Sequence, residues 1–163
     1  MRRLLAPSLA LVAACSSSSS GGAAPAPIDA GGEPAPSLCA NEPRAQAYTQ
    51  GIEQTGTGGH FKIKLLNATP SPIGQGDNRW NIALSDASDK AIGGATIALK
   101  PFMPDHGHTA AQIPVVAADP LTGQYTVSKI ELAMSGVWTF TFDVRVGDAG
   151  ATDQIIFTFC IDR

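Results

Sequence analysis

The sequence predicts an all-β protein: an antiparallel sandwich of six or seven short strands. Apolar and polar residues alternate with a period of two in successive stretches between His60 and Ile161, the pattern of strands with one buried face. The 17 glycines and 12 prolines supply turns at near-regular spacing between those stretches. No stretch of helical period separates them, which excludes parallel βαβ units, and no internal repeat is present. A chain of 163 residues holds one such domain with one core.

The first 14 residues read as an address. Arg2-Arg3 is a short basic region, and Leu4 to Ala14 is apolar with Pro7 inside it. That is the form of a secretory signal, too short to span a bilayer. Val12-Ala13-Ala14-Cys15 has the form of a bacterial lipobox, in which small residues precede a cysteine that is lipidated after cleavage. The competing reading is an ordinary signal peptide with a chance cysteine at Cys15. Residues 15–37 then form a tether of five serines followed by Gly, Ala and Pro. Such a composition buries no core and is expected to be disordered. Ser16, rather than Asp, follows Cys15; by resemblance to known sorting behaviour this favours a bacterial outer-membrane anchor with the domain facing the periplasm. Residues 38–163 are the globular domain.

Without residues 1–14, which hold Arg2 and Arg3 and no acid, 9 basic residues face 14 acidic ones, a net charge of −5. That balance argues against nucleic acid, which needs a basic footprint. With Cys15 committed to lipid, Cys39 and Cys160 remain. In an oxidising periplasm they are expected to pair and pin both ends of the domain. The alternative makes one of them a copper thiolate, although neither has a Cys-x-x-Cys spacing or a neighbouring histidine.

Within the domain, Asn41 to Gln54 allows a short helix or an irregular lead-in, and Thr55-Gly56-Thr57-Gly58-Gly59 breaks it. Phe61, Ile63 and Leu65 then face one way, with His60, Lys62 and Lys64 on the wet face. Pro70 to Asp77 is a turn-rich loop. Trp80, Ile82 and Leu84 point inward in the next strand, and Ala95, Ile97 and Leu99 in the one after it. Ile113 to Ala117 is a short edge strand, since Pro114 suits only an edge. Tyr125 to Leu132 is a strand, and Met134-Ser135-Gly136 a tight reversal. Trp138, Phe140, Phe142, Val144 and Val146 make the clearest alternation in the chain. Ile155, Phe157, Phe159 and Ile161 close the domain.

Between two of these strands lies Pro101-Phe102-Met103-Pro104-Asp105-His106-Gly107-His108. It holds two of the three histidines and a methionine, and its prolines and glycine are expected to break regular structure. Loops on a plain β scaffold are where sites belong. Imidazole with thioether is a soft donor set that suits Cu(I), and Cu(II) through the histidines; zinc rarely uses Met. His106 and His108 are two apart, so an extended segment projects both to one side. If the reversal at Ser135 meets this loop at one end of the sandwich, Met103, His106, His108 and Met134 form a four-ligand copper site. The competing reading makes the loop a rigid connector, with Asp105 accepting backbone hydrogen bonds and the methionines as core filler.

Trp80-Asn81-Ile82, Phe102-Met103-Pro104-Asp105-His106-Gly107-His108, Gly123-Gln124-Tyr125 and Met134-Ser135-Gly136-Val137-Trp138 together resemble the YtkA-like domain family, which is related to FixH-like proteins. The similarity covers roughly His60 to Phe159. The resemblance implies a small immunoglobulin-like sandwich, exported, with a role in copper handling or cytochrome oxidase assembly. FixH-like members carry a transmembrane helix, whereas this sequence offers an anchor cysteine.

The leading expectation is therefore a monomeric, lipid-anchored, copper-binding or copper-delivering protein of the cell envelope, exchanging metal with a protein donor or acceptor. The alternative is a non-catalytic lipoprotein domain that binds a protein partner and no metal. An enzyme is not expected: the sequence has no Gly-x-Ser-x-Gly elbow and no His-Glu-x-x-His.

Overall fold

The computed structural model describes residues 37–147 and 150–162. The signal segment, Cys15 and nearly all of the tether lie outside the described residues. Nine strands form: β1 (Glu53–Thr55), β2 (Phe61–Thr69), β3 (Gly76–Asp86), β4 (Ala95–Met103), β5 (His108–Thr109), β6 (Val115–Ala118), β7 (Gln124–Leu132), β8 (Gly136–Val146) and β9 (Thr152–Ile161). They make two antiparallel sheets, β1-β2-β3-β7-β6 and β5-β4-β8-β9. Among the described residues there is no helix. The domain is a β-sandwich.

The alternation that defines the strands also fills the core. Trp80, Ile82 and Leu84 of β3 meet Trp138, Phe140, Phe142 and Val144 of β8 and Ile155, Phe157, Phe159 and Ile161 of β9, all buried. Trp80 sits at the centre, its ring 4.7 Å from Phe140 and 6.3 Å from Phe159. Each such side chain contributes about 1.5–3 kcal/mol by leaving water. His60 is exposed, as the alternation of β2 requires. Ala95 and Val146, at the strand ends, are only partly buried against this core.

Two short strands depart from the expected set of seven. β1 arises where the lead-in turns back along β2: Gly51 donates to the Leu65 carbonyl (2.6 Å) and Leu65 to Ile52 (2.9 Å). Just upstream, Gln46 donates to the Thr158 carbonyl of β9 (2.9 Å). The lead-in thus spans from the edge of one sheet to the edge of the other, covering backbone groups that an exposed edge would leave unpaired. Its beginning is fixed by the Cys39–Cys160 disulfide, which closes a separation of 121 residues.

Two polar anchors hold the loops. The Tyr125 hydroxyl accepts from Ala95 N–H (3.0 Å) and donates to the Ile92 carbonyl (3.1 Å), fixing the chain as it enters β4. Asp153, buried at the start of β9, accepts four backbone N–H groups, from Gly58 (2.6 Å), His60 (2.8 Å), Phe61 (3.2 Å) and Gln154 (2.8 Å). The glycines of Thr55–Gly59 are what let the loop close round this carboxylate, since a side chain at Gly56 would overlap it. Burial pushes Asp153 up, but the four N–H donors outweigh it and hold its carboxyl below the usual range.

A carboxyl whose folded pKa lies below its unfolded value contributes stability above the unfolded pKa, about 3.9, and loses it as pH falls through the folded value. Asp153→Asn keeps the shape, loses the charge and turns an amide N–H₂ toward donors. We expect it to cost about 2 kcal/mol or more at pH 7. Urea denaturation of both proteins at pH 7 and pH 3 checks this. The deficit shrinks in acid if the carboxylate is the cause, and is unchanged if only packing was disturbed.

Candidate metal site at the β4–β5 hairpin

The central motif was expected to break regular structure; instead β4 runs through Pro101 to Met103. The reason is edge geometry. In a strand a residue's N–H and C=O point to the same side. The Pro101 carbonyl accepts from Ala110 N–H (3.3 Å), so its missing N–H faces the β5 side and costs no bond to β8. Met103 then pairs with His108 across a four-residue turn. The Met103 carbonyl accepts from His106 (3.2 Å) and Gly107 (2.8 Å). Pro104 takes the first corner, where its fixed φ fits, and Gly107 takes the left-handed position at φ 68°.

Register decides which side chains meet. Phe102 pairs with Thr139 of β8, and Trp138 pairs with Phe159 of β9. Directly paired residues share a sheet face, so His108, Met103, Trp138 and Phe159 form one row on the inner face at the end of the sandwich. The His108 ring lies edge-on to Trp138 (centroids 5.8 Å, 76°), and the His106 ring lies edge-on to His108 (5.8 Å, 72°). Trp138 Nε1 donates to the Met134 carbonyl (3.0 Å), tying the reversal before β8 into the same end. Above Met103 lies Gly136, at φ 133°: a Cβ there would sit 2.5 Å from Met103 Cε.

The four predicted metal residues are therefore at one end of the fold but differ in access. His106 and His108 are exposed, Met134 is 38% exposed, and Met103 is 2% exposed within the core. His108 Nδ1 lies 3.0 Å from the Thr109 carbonyl. A carbonyl only accepts, so in this bond the neutral ring carries its proton on Nδ1 and keeps the Nε2 lone pair for a ligand, an orientation typical of metal-binding histidines. With metal–nitrogen bonds of about 2 Å, two imidazoles on one ion have centroids roughly 4.5–6 Å apart, and the observed 5.8 Å suits that. The donor set fits a soft ion. Among the described residues no three or more His, Cys, Asp or Glu groups are arranged to hold a metal, so any site here depends on two imidazoles with thioether sulfur.

The connector reading expected Asp105 to accept backbone hydrogen bonds; among the described residues it accepts from a side chain instead. Both its oxygens take the guanidinium of Arg44, at 2.6 Å from Nη1 and 3.0 Å from Nη2. The other edge of that guanidinium is held by Glu42, 2.8 Å from both Nε and Nη2. The Arg44 side chain and backbone N–H draw Glu42 well below the usual carboxylate range, to about 2, and the same guanidinium lowers Asp105. Sequence reasoning missed Arg44 because its partner lies 61 residues away and no periodicity links them.

The family model described as YtkA-like matches residues 58–143. The match takes in β2 to most of β8, with the whole hairpin, Gly136 and Trp138; Cys39, Arg44 and Cys160 lie outside it. No curated protein and no solved structure matches the chain.

Gly136→Ala forces a Cβ onto the Met103 methyl in a backbone conformation that side chains rarely adopt. We expect a loss of about 1–3 kcal/mol in urea denaturation. Because Met103→Ala removes the collision, the double variant loses less than the sum of the two single losses. Strict additivity would mean that the two residues do not meet.

Proposed function

The chain belongs to the YtkA-like family, and we propose that it binds copper through its β4–β5 hairpin and passes it to or from a protein partner. One observation carries the reading: two exposed imidazoles, with ring centroids 5.8 Å apart, share a hairpin with the buried Met103, which pairs in register with His108, and a second thioether residue, Met134, lies at the same end of the fold. His106 and His108 are the entry ligands. Met103 is the sulfur of the same hairpin, paired in register with His108, and Met134 a further sulfur from the neighbouring reversal. Sulfur and imidazole together favour Cu(I), and an exposed hairpin allows ligand exchange with a docked partner. The chemistry is binding and transfer, with no catalytic residue assigned.

The address completes the proposal. Residues 1–14 direct export, Cys15 carries lipid, and residues 15–37 give the domain reach from a bacterial envelope membrane. Ser16 after Cys15 supports the outer membrane, facing the periplasm. The protein acts there as a monomer.

A second reading is favoured by one fact, the burial of Met103. If the methionine is only core, the motif shapes a rigid hairpin that a protein partner recognises, and no metal is involved. Truncating Met103 costs about 2–5 kcal/mol on either reading, so it does not separate them.

Cu(I) competition against a chromogenic chelator separates them. Ascorbate keeps copper reduced while sparing a structural disulfide. One-to-one binding that is lost in His106→Ala/His108→Ala is the expected result. A folded protein that takes no Cu(I) sinks the copper reading and leaves partner recognition.

A further inference from the structure

One residue of the sheets stands in a conformation that its side chain does not favour. Lys129 has φ 58°, the left-handed region, in the middle of β7. A left-handed residue within a strand marks a bulge, and glycine is its usual occupant. The register places that bulge. Asn78 pairs with Ile130 and Trp80 with Val127, so Ser128 and Lys129 together stand opposite Arg79. Bulges re-aim side chains, and a strained backbone at a non-glycine residue points to a function for the side chain it carries.

On its other side Arg79 pairs with Thr69 of β2. Thr69, Asp77, Arg79, Ser128 and Lys129 line one concavity of about 360 Å³. Arg79 and Lys129 are both exposed, and among the described residues neither has a carboxylate partner. Two unpaired cations sharing a concavity repel each other, and an anion between them removes that cost. The Ser128 hydroxyl turns to the Val115 carbonyl (3.5 Å). Glu131, which pairs with Asp77 across the ladder, accepts from Gln112 (2.9 Å). Thr69 and Asp77 have no such side-chain bond among the described residues. The unengaged set is two cations, one hydroxyl and one carboxylate. A carboxylate there repels a fully ionised oxyanion but accepts a hydrogen bond from one that keeps a proton. Phosphate keeps one for part of the time near neutral pH, the second pKa of a phosphate ester being about 6; sulfate keeps none.

We propose that the β3–β7 bulge is a phosphate-binding site: Arg79 and Lys129 take the charge, Thr69 donates its hydroxyl, and Asp77 accepts from the proton that phosphate retains. Inorganic phosphate and the phosphate ester of a lipid headgroup share this chemistry. The site uses no residue of the β4–β5 hairpin and stands whether or not copper binds there.

Isothermal titration calorimetry on the full chain, disulfide intact, tests it with inorganic phosphate, glycerol 3-phosphate and sulfate at pH 7. Saturable phosphate binding with a Kd of about 1 mM or tighter is expected, at least about ten-fold tighter than sulfate. Arg79→Gln and Lys129→Gly are each expected to weaken it about ten-fold, and Lys129→Arg to hold it within about three-fold. Asp77→Asn is expected to bring phosphate and sulfate within about three-fold of each other. Lys129→Gly also relieves the left-handed backbone, so its urea midpoint is expected at or above that of wild type, and its lost binding is not lost folding. Glycerol 3-phosphate bound tighter than inorganic phosphate assigns an ester as the source; equal or weaker binding assigns the free ion. No saturation by inorganic phosphate, sulfate bound as well as phosphate, or binding that survives both Arg79→Gln and Lys129→Gly overturns the proposal.

Discussion

The pairing of β4 with β8 is the constraint on which the rest of the domain depends. It runs without a bulge from Ala95–Val146 to Phe102–Thr139. A slip of one residue would turn Leu99 and Ile97 to solvent and bring Lys100 inside, so the register is enforced by the core itself. Once it is set, two segments more than 30 positions apart in the chain must arrive together. Met103 comes to lie beside Trp138, Gly136 passes over the Met103 methyl, and the turn after Met103 lays His108 against Trp138. The two most specific parts of the family resemblance are thus halves of one contact.

The second framework is the strap of residues 37–55. Its ends are tied by different chemistry: the Cys39–Cys160 bond and the Ser37 hydroxyl with Leu38 N–H on Asp162 at the start, backbone pairing with β2 at the finish. Closing a separation of 121 residues removes unfolded-chain entropy equivalent to about 5 kcal/mol. Arg44, midway, is exposed, and an exposed ion pair adds little to stability. Its effect is positional. The strap's firm attachments let a weak surface interaction hold a definite geometry at the hairpin turn.

Much of this was legible in the residues, and the limits were physical. Six strands could be read because each has one face in the core, and a period of two records that directly; β6, with only Val116 partly buried, was read instead as a short edge. β1 could not, because Glu53–Thr55 buries no alternating face; its pairing follows from β2, through Glu53–Lys64 and Thr55–Lys62. The hairpin turn was visible in its chemistry, Pro104 at the corner and Gly107 at the left-handed position, yet these residues also signal a break. Only the Pro101 carbonyl's bond to Ala110 shows why a strand survives there. The nearness of Met134 to the histidine loop was foreseeable as a condition, and β4–β8 pairing with the Trp138 bond meets it. The burial of Met103 was not foreseeable, since a methionine serves equally as core and as ligand.

That burial bears on how a soft ion would be held and released. Exposed imidazoles alone bind ions with little discrimination, since nitrogen accepts zinc and copper alike. Sulfur adds preference, but a free surface methionine is mobile and is ordered only at an entropic cost. Met103 meets neither difficulty: its conformation is already fixed by Trp138, Gly136 and the core, so any contact it makes with an ion adds little further ordering cost. Gly136 is what keeps the layer above it thin. Exposed nitrogen and a fixed sulfur on one hairpin would make entry of an ion easy while its selectivity rested on the part that does not move.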